Sequence, residues 1–110
     1  MQTLPRISLD SIFTAIGHAK RRGIIESLSF RPATVSQLAE EHAISLPGIH
    51  KHIRILEDAQ LIQRKKVGRT NFVAIQRSGL KEMQAWVRQF HPYWGNDRET
   101  LENYIEKFTS

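Results

Sequence analysis

One run of twelve residues, Ser45-Leu46-Pro47-Gly48-Ile49-His50-Lys51-His52-Ile53-Arg54-Ile55-Leu56, restricts this chain more than any other. Wound at about 100° per residue, Ile49, Ile53 and Leu56 fall in a stripe about 60° wide, whereas Pro47, Lys51 and Arg54 fall in a second stripe on the far side. A helix built this way buries one face and turns a cationic face outward, as a helix that reads DNA must. Ser45 is a good N-cap, and Pro47 is tolerated in the first turn because its missing N–H would be unpaired anyway.

The charge of the whole chain supports that reading once it is located. The net charge is +5, with 16 basic and 11 acidic side chains. Residues 45 to 77 hold Lys51, Arg54, Arg64, Lys65, Lys66, Arg69 and Arg77 against Glu57 and Asp58, so the whole excess lies in this third of the sequence. Excess positive charge gathered in one segment is the footprint of a surface that meets a polyanion.

The flanking segments place this helix in a larger unit. Ahead of it, Thr34-Val35-Ser36-Gln37 reads as a capping box opening a short helix through about His42, with Leu38 and Ala39 turned inward. Ala43-Ile44 then forms a turn, which makes a helix-turn-helix. Behind it, Leu61 to Ile75 changes to strand character, two arms flanking Val67-Gly68-Arg69, and reads as a β-hairpin with a basic tip. A helix-turn-helix followed by a basic hairpin predicts a winged helix-turn-helix, mainly α with a small β-hairpin and five to six helices.

The ends of the chain read as helices. Ser8 caps a first helix in which Leu9, Ile12, Phe13 and Ile16 share a face, with Ile7 and Ile12 placed as a hydrophobic staple. A second helix, about Ala19 to Ser29, turns Ile24, Ile25 and Leu28 inward. Its first turn carries Lys20, Arg21 and Arg22, which oppose the helix dipole. Solvated charge and contact with DNA or a partner's carboxylates are both open readings there. Ser78 caps a helix running to about Phe90, with Leu80, Met83, Val87 and Phe90 on one face, and Asp97 to Phe108 forms the last. Six of the nine aromatics (Trp86, Phe90, Tyr93, Trp94, Tyr104 and Phe108) lie in this final quarter. A single 110-residue domain with a winged-helix core has little interior left for them, which predicts a homodimer with Leu9, Ile12, Phe13, Trp86, Phe90, Trp94, Tyr104 and Phe108 at its interface.

Several function classes are poorly supported. There is no cysteine, hence no disulfide, iron–sulfur cluster or thiolate metal site. No Gly-rich phosphate loop, supported Ser-His-Asp set or His-Glu-x-x-His motif is present, so no enzyme is expected. No run approaches the roughly 20 apolar residues of a membrane span, and Met1 to Arg6 is not followed by an unbroken apolar segment, which predicts a cytoplasmic protein with no membrane partner.

The residues His18-Ala19-Lys20-Arg21-Arg22-Gly23-Ile24-Ile25, Val35-Ser36-Gln37-Leu38-Ala39, Ser45 to Leu56, Ala59-Gln60-Leu61-Ile62 and Gly68-Arg69 together resemble the ArsR-type winged-helix repressors. Lys51-His52-Ile53-Arg54-Ile55-Leu56 is the most specific part. The resemblance implies that the helix from Ser45 to Ala59 reads double-stranded DNA, that Arg64 to Thr70 forms the wing, and that the first and last helices build the dimer. The expected DNA contacts are Ser45, Pro47, Gly48, His50, Lys51, Arg54, Arg64, Lys65, Lys66, Arg69 and Thr70, with Arg54 alternatively pairing with Glu57 or Asp58. His50 is read as facing the groove and His52 as a structural histidine bonded to a neighbouring helix.

Two departures from the family stand out. Where its members often have Asp-Pro-Thr ahead of the paired arginines, this chain has His18-Ala19-Lys20, without a strong N-cap. Leu46 and His50 stand where the reading helix often carries Gln and Ser. Metal sensing in the family uses cysteine pairs or carboxylate and imidazole ligands on the dimer helices. The first set is impossible here, and no histidine has a His or acidic neighbour at ligand spacing in the Ser78 to Phe90 helix, which leaves only an intersubunit set of His91 with Asp97 or Glu99. No metal or cofactor is therefore expected.

The resulting expectation is a repressor that binds a palindromic operator as a homodimer, with no effector identified. The alternatives are a winged-helix protein-interaction module, and a regulator responding to a small molecule in a pocket among Trp86, Phe90, Trp94 and Tyr104.

Overall fold

The computed structural model describes residues 8–90 and 95–109. In chain order the elements are α1 (Leu9–Ile16), α2 (Ala19–Phe30), β1 (Ala33–Thr34), α3 (Val35–Glu41), α4 (Leu46–Asp58), β2 (Ile62–Val67), β3 (Thr70–Ile75), α5 (Ser78–Val87) and α6 (Asp97–Thr109). This is the expected winged helix-turn-helix. Its core is drawn from both sides of the turn: Leu38 of α3 and Ile49, Ile53 and Leu56 of α4 are fully buried with Ile24 of α2 and Ile62 of β2.

The helix starts follow the local chemistry. Ser8 Oγ accepts from the Ser11 N–H at 3.2 Å; the proposed staple partner Ile7 lies outside the described residues. The capping box of α3 is complete, with Gln37 N–H donating to Thr34 Oγ1 at 3.1 Å and Thr34 N–H donating to Gln37 Oε1 at 2.9 Å. At α5, however, Ser78 is the first helical residue and not its cap, and Arg77 before it makes no capping bond. The Gly79 N–H donates to Gln60 O at 2.9 Å, so a backbone carbonyl from the end of α4 does the work of a capping side chain. Helix α5 also stops at Val87, short of Phe90, because Gln89 and Phe90 bond back to Trp86 and Val87 in i→i−3 turns.

The ends of α3 and α4 share one device. After α3, Ala43 adopts φ 52°, its N–H donates to Glu40 O, and the Ile44 N–H donates to Ala39 O. After α4, Gln60 adopts φ 57°, its N–H donates to Glu57 O, and the Leu61 N–H donates to Leu56 O. Each is a Schellman motif in which a residue with a Cβ fills the left-handed position that usually belongs to glycine.

The sheet has three antiparallel strands in the order β1-β3-β2. The hairpin pairs Ile62 with Ile75 and Val67 with Thr70, and closes through Gly68 and Arg69 with Gly68 at φ 62°. Sequence periodicity did not reveal β1, whose two residues pair Ala33 with Val73 and Thr34 with Phe72. A two-residue strand has no period to read. It exists because β3 has a free edge next to the start of α3.

Candidate nucleic-acid interface

The outward edge of α4 is built from its first turn. Ser45 Oγ accepts from the Gly48 N–H at 3.3 Å, and a Cβ placed on Gly48 would lie 3.0 Å from Ile44 Cγ2. Gly48, half-buried, packs back on the turn where a Cβ would crowd Ile44, and with Ser45 it fixes where the helix starts. Pro47, His50, Lys51 and Arg54 are all exposed, and with Ile55 and Asp58 they line one shallow cleft.

A second cleft joins α4 to the wing. Leu46 and His50 line it from one side and Arg69, Thr70 and Asn71 from the other, with Thr34, Val35 and Ser36 at its base. The fold therefore brings His50, Arg69 and Thr70 to one concavity although they are far apart in sequence. Ser36 and Asn71 carry no signal in the sequence, and Leu46, although noted as a departure from the family's reading helix, is not among the expected contacts. Leu46 could have been found, since it falls about 40° from His50 on the α4 circumference.

The wing residues divide. Lys65, Lys66, Arg69 and Thr70 are exposed. Arg64 departs from the expectation: it is half-buried, and its Nη2 donates to Glu57 Oε1 at 3.0 Å. Strand alternation sends Arg64 to the same side as Ile62, toward α4, while Lys65 points the other way. Glu57 is thereby engaged by Arg64, and not by Arg54, which stays in the outward cleft.

Beneath this surface, the basic turn at the start of α2 resolves differently from either open reading. Arg21 is buried; its Nε donates to Ala15 O at 2.7 Å, its Nη2 to Thr14 O at 3.0 Å and its Nη1 to His52 Nδ1 at 3.2 Å. Arg22 Nη1 donates to Ile16 O at 2.7 Å and Lys20 Nζ to His42 O at 2.9 Å. The three cations oppose the dipole of their own helix but satisfy the carbonyl ends of α1 and α3, where positive charge is favourable. His18 supplies the cap the sequence seemed to lack, its Nδ1 accepting from the Lys20 N–H at 3.2 Å.

His52 is the structural histidine its position on α4 indicates, bonded to α2 through Arg21 with its ring centroid 4.9 Å from that of His18. Its pKa is held below the ordinary histidine value by burial first, and then by the charges of His18, Arg21, Lys51 and Lys20. Arg21 is always a donor, so His52 Nδ1 must carry a lone pair and Nε2 the proton.

The residues expected at a dimer interface also divide. Ile12 is fully buried within its own subunit, has no surface to offer a partner, and is a core residue. Leu9 is half-buried. Phe13, Trp86 and Phe90 form an exposed edge-to-face series, with centroids 5.3 Å apart for Phe13 and Trp86 and 4.8 Å for Trp86 and Phe90. Tyr104 and Phe108 meet edge-to-face on α6, with centroids 4.9 Å apart, and α6 has no buried residue. Trp94 and His91 lie outside the described residues. Among the described residues, no group of three or more His, Asp or Glu could hold a metal ion, and ring nitrogens of His18, His42 and His52 are already in hydrogen bonds. No helix among them is long and apolar enough to cross a membrane.

The fold and this outward face define a winged helix-turn-helix DNA-binding module. Residues 16–64 match a family model described as a helix-turn-helix domain. The crystal structure of the ArsR family transcriptional regulator RHA00566 is 37% identical and superposes with a TM-score of 0.71, covering 81% of this chain and 91% of that one. The transcriptional repressor SdpR of Bacillus subtilis is 28% identical over 89 residues, 81% of this chain and 99% of that protein. The solution structure of a homodimeric winged helix-turn-helix DNA-binding domain from Mycobacterium bovis shares the fold, at 16% identity and a TM-score of 0.62 over 73% of this chain and 74% of that one. The chain belongs to the ArsR family of winged helix-turn-helix transcriptional regulators.

Proposed function

We propose that this regulator is a cytoplasmic repressor that binds a palindromic operator as a homodimer and occludes a promoter, without enzymatic activity. The observation that carries the reading is the continuous outward surface in which Pro47, His50, Lys51 and Arg54 of α4 lead into Arg69 and Thr70 of the wing. In this reading α4 enters the major groove, and Lys65, Lys66 and Arg69 meet neighbouring phosphates. The exposed series Phe13, Trp86 and Phe90, with Tyr104 and Phe108, supports a dimer that closes over the aromatic surface. The whole chain then acts as a single domain, and two α4 helices related by a dyad enter successive major grooves about 34 Å apart.

Selection of bound duplexes from a random pool, followed by salt titration of the winner, tests this. The expected result is a palindromic sequence whose binding constant falls with salt at a slope of about −0.9 per phosphate contact. Binding indifferent to sequence at physiological salt, or a selected site without two-fold symmetry, overturns it.

A further inference from the structure

Among the described residues lining the cleft between α4 and the wing, Leu46 is the large apolar side chain that is exposed, at 54%, whereas Val35 is buried. It stands among His50, Arg69, Thr70, Asn71 and Ser36, outside the hydrophobic core. Its place is fixed: it is the first residue of α4, held between the Ser45 cap and the close packing of Gly48 on Ile44. A leucine left more than half exposed among polar and cationic groups gains little burial from its own fold.

We propose that Leu46 reads the 5-methyl group of a thymine in each operator half-site. The proposal rests on α4 entering the major groove, as inferred above. Residues at the N-terminal end of such a helix reach the base edges. Of the four bases only thymine carries a methyl group on its major-groove edge, beside its O4 acceptor, whereas guanine, adenine and cytosine are told apart there by donors and acceptors. Leucine offers neither, so pressed against guanine, adenine or cytosine it would strip water from a polar atom without replacing the hydrogen bond. Against thymine it buries methyl on methyl. Leu46 therefore selects by attraction to one base and by desolvation of the other three.

The test uses the full-length protein and the duplex obtained by selection, with each thymine replaced in turn by deoxyuridine, which removes only the methyl. At one symmetric position the substitution should weaken binding about fourfold in one half-site and about fifteenfold in both. Leu46→Ala should remove that dependence while keeping the melting temperature and salt slope of the native protein. Uracil substitution without effect at every position, or an equal effect in Leu46→Ala, overturns the proposal. If selection yields no preferred duplex, the repressor reading fails with it, whereas a selected palindrome with no Leu46-dependent methyl effect removes only the thymine assignment.

Discussion

The Arg21 guanidinium joins α1 to α4: it donates to Ala15 O and Thr14 O at the end of one helix and to His52 Nδ1 in the middle of the other, the last at 3.2 Å. Helix α4 is thus seated on the helix that presents Phe13 to the surface through one buried cation and one imidazole.

That seat is sensitive to acid. His52 has a folded pKa below the ordinary value of 6.5, so in the window just beneath 6.5 the unfolded chain binds a proton that the folded chain refuses. The stability associated with neutral His52 is fully present above 6.5 and is lost as pH falls through that window. The protonated ring would face His18, Arg21, Lys20 and Lys51. Melting temperatures between pH 5 and 8 should fall more steeply on the acid side for the native protein than for His52→Gln, whose side-chain oxygen can still accept from Arg21. Parallel curves for the two would sink the assignment.

Removing Arg21 takes the donor from the buried Ala15 carbonyl and leaves Thr14 O with the Gly17 N–H alone. Arg21→Ala should cost about 2–4 kcal/mol in urea unfolding, as expected when a charged donor with several buried partners is lost. Arg21→Lys should recover less than half of this, because an ammonium cannot reproduce the planar fork that reaches Ala15, Thr14 and His52 together. A loss below about 0.5 kcal/mol, the range of an ordinary surface substitution, would show that the bonds carry no weight.

Arg64 and Lys51 are both cations of the reading unit but should behave differently. Lys51→Ala, if it removes one phosphate contact from each protomer, should lower the salt slope of duplex binding by about 1.8 per dimer. Arg64→Ala should leave the slope nearly unchanged, since that side chain is committed to Glu57. Fluorescence anisotropy across a salt series separates the two, and equal changes in slope would contradict the division.

The two Schellman ends offer a stabilising change. Ala43 and Gln60 hold left-handed backbone that costs a residue with a Cβ roughly 1–2 kcal/mol. Ala43→Gly and Gln60→Gly should each raise stability by about 0.5–1 kcal/mol after the extra entropy of an unfolded glycine is allowed for. Gly79→Ala should do the reverse, by about 1–3 kcal/mol, because its Cβ would sit 2.5 Å from Ala59 O. Denaturant midpoints measure all three, and a destabilised Gln60→Gly would refute the strain.

What could be read from the chain was whatever depends on near neighbours. The face pattern of Ile49, Ile53 and Leu56, the Thr34 and Gln37 box and the turn at Gly68 are each set within a few residues, and each stands as read. Arg21 could not be read this way, because its partners lie at Thr14, Ala15 and His52 and share no period with it. Ile12 shows a subtler limit. Leu9, Ile12, Phe13 and Ile16 lie on one stripe, but α1 packs on both α4 and α5, so Ile12 is spent inside the subunit while Phe13 turns out toward Trp86. Arg64 was within reach of sequence, since strand alternation from Ile62 already places it on the inner side.

Thr34 belongs at once to the sheet, opposite Phe72, and to α3, whose first turn it caps. The base of the hairpin is therefore tied through β1 to the start of α3. In the proposed DNA complex the molecule is then a caliper whose jaw, between α4 and the wing, is set by the fold, so the groove width of the duplex becomes part of what is selected.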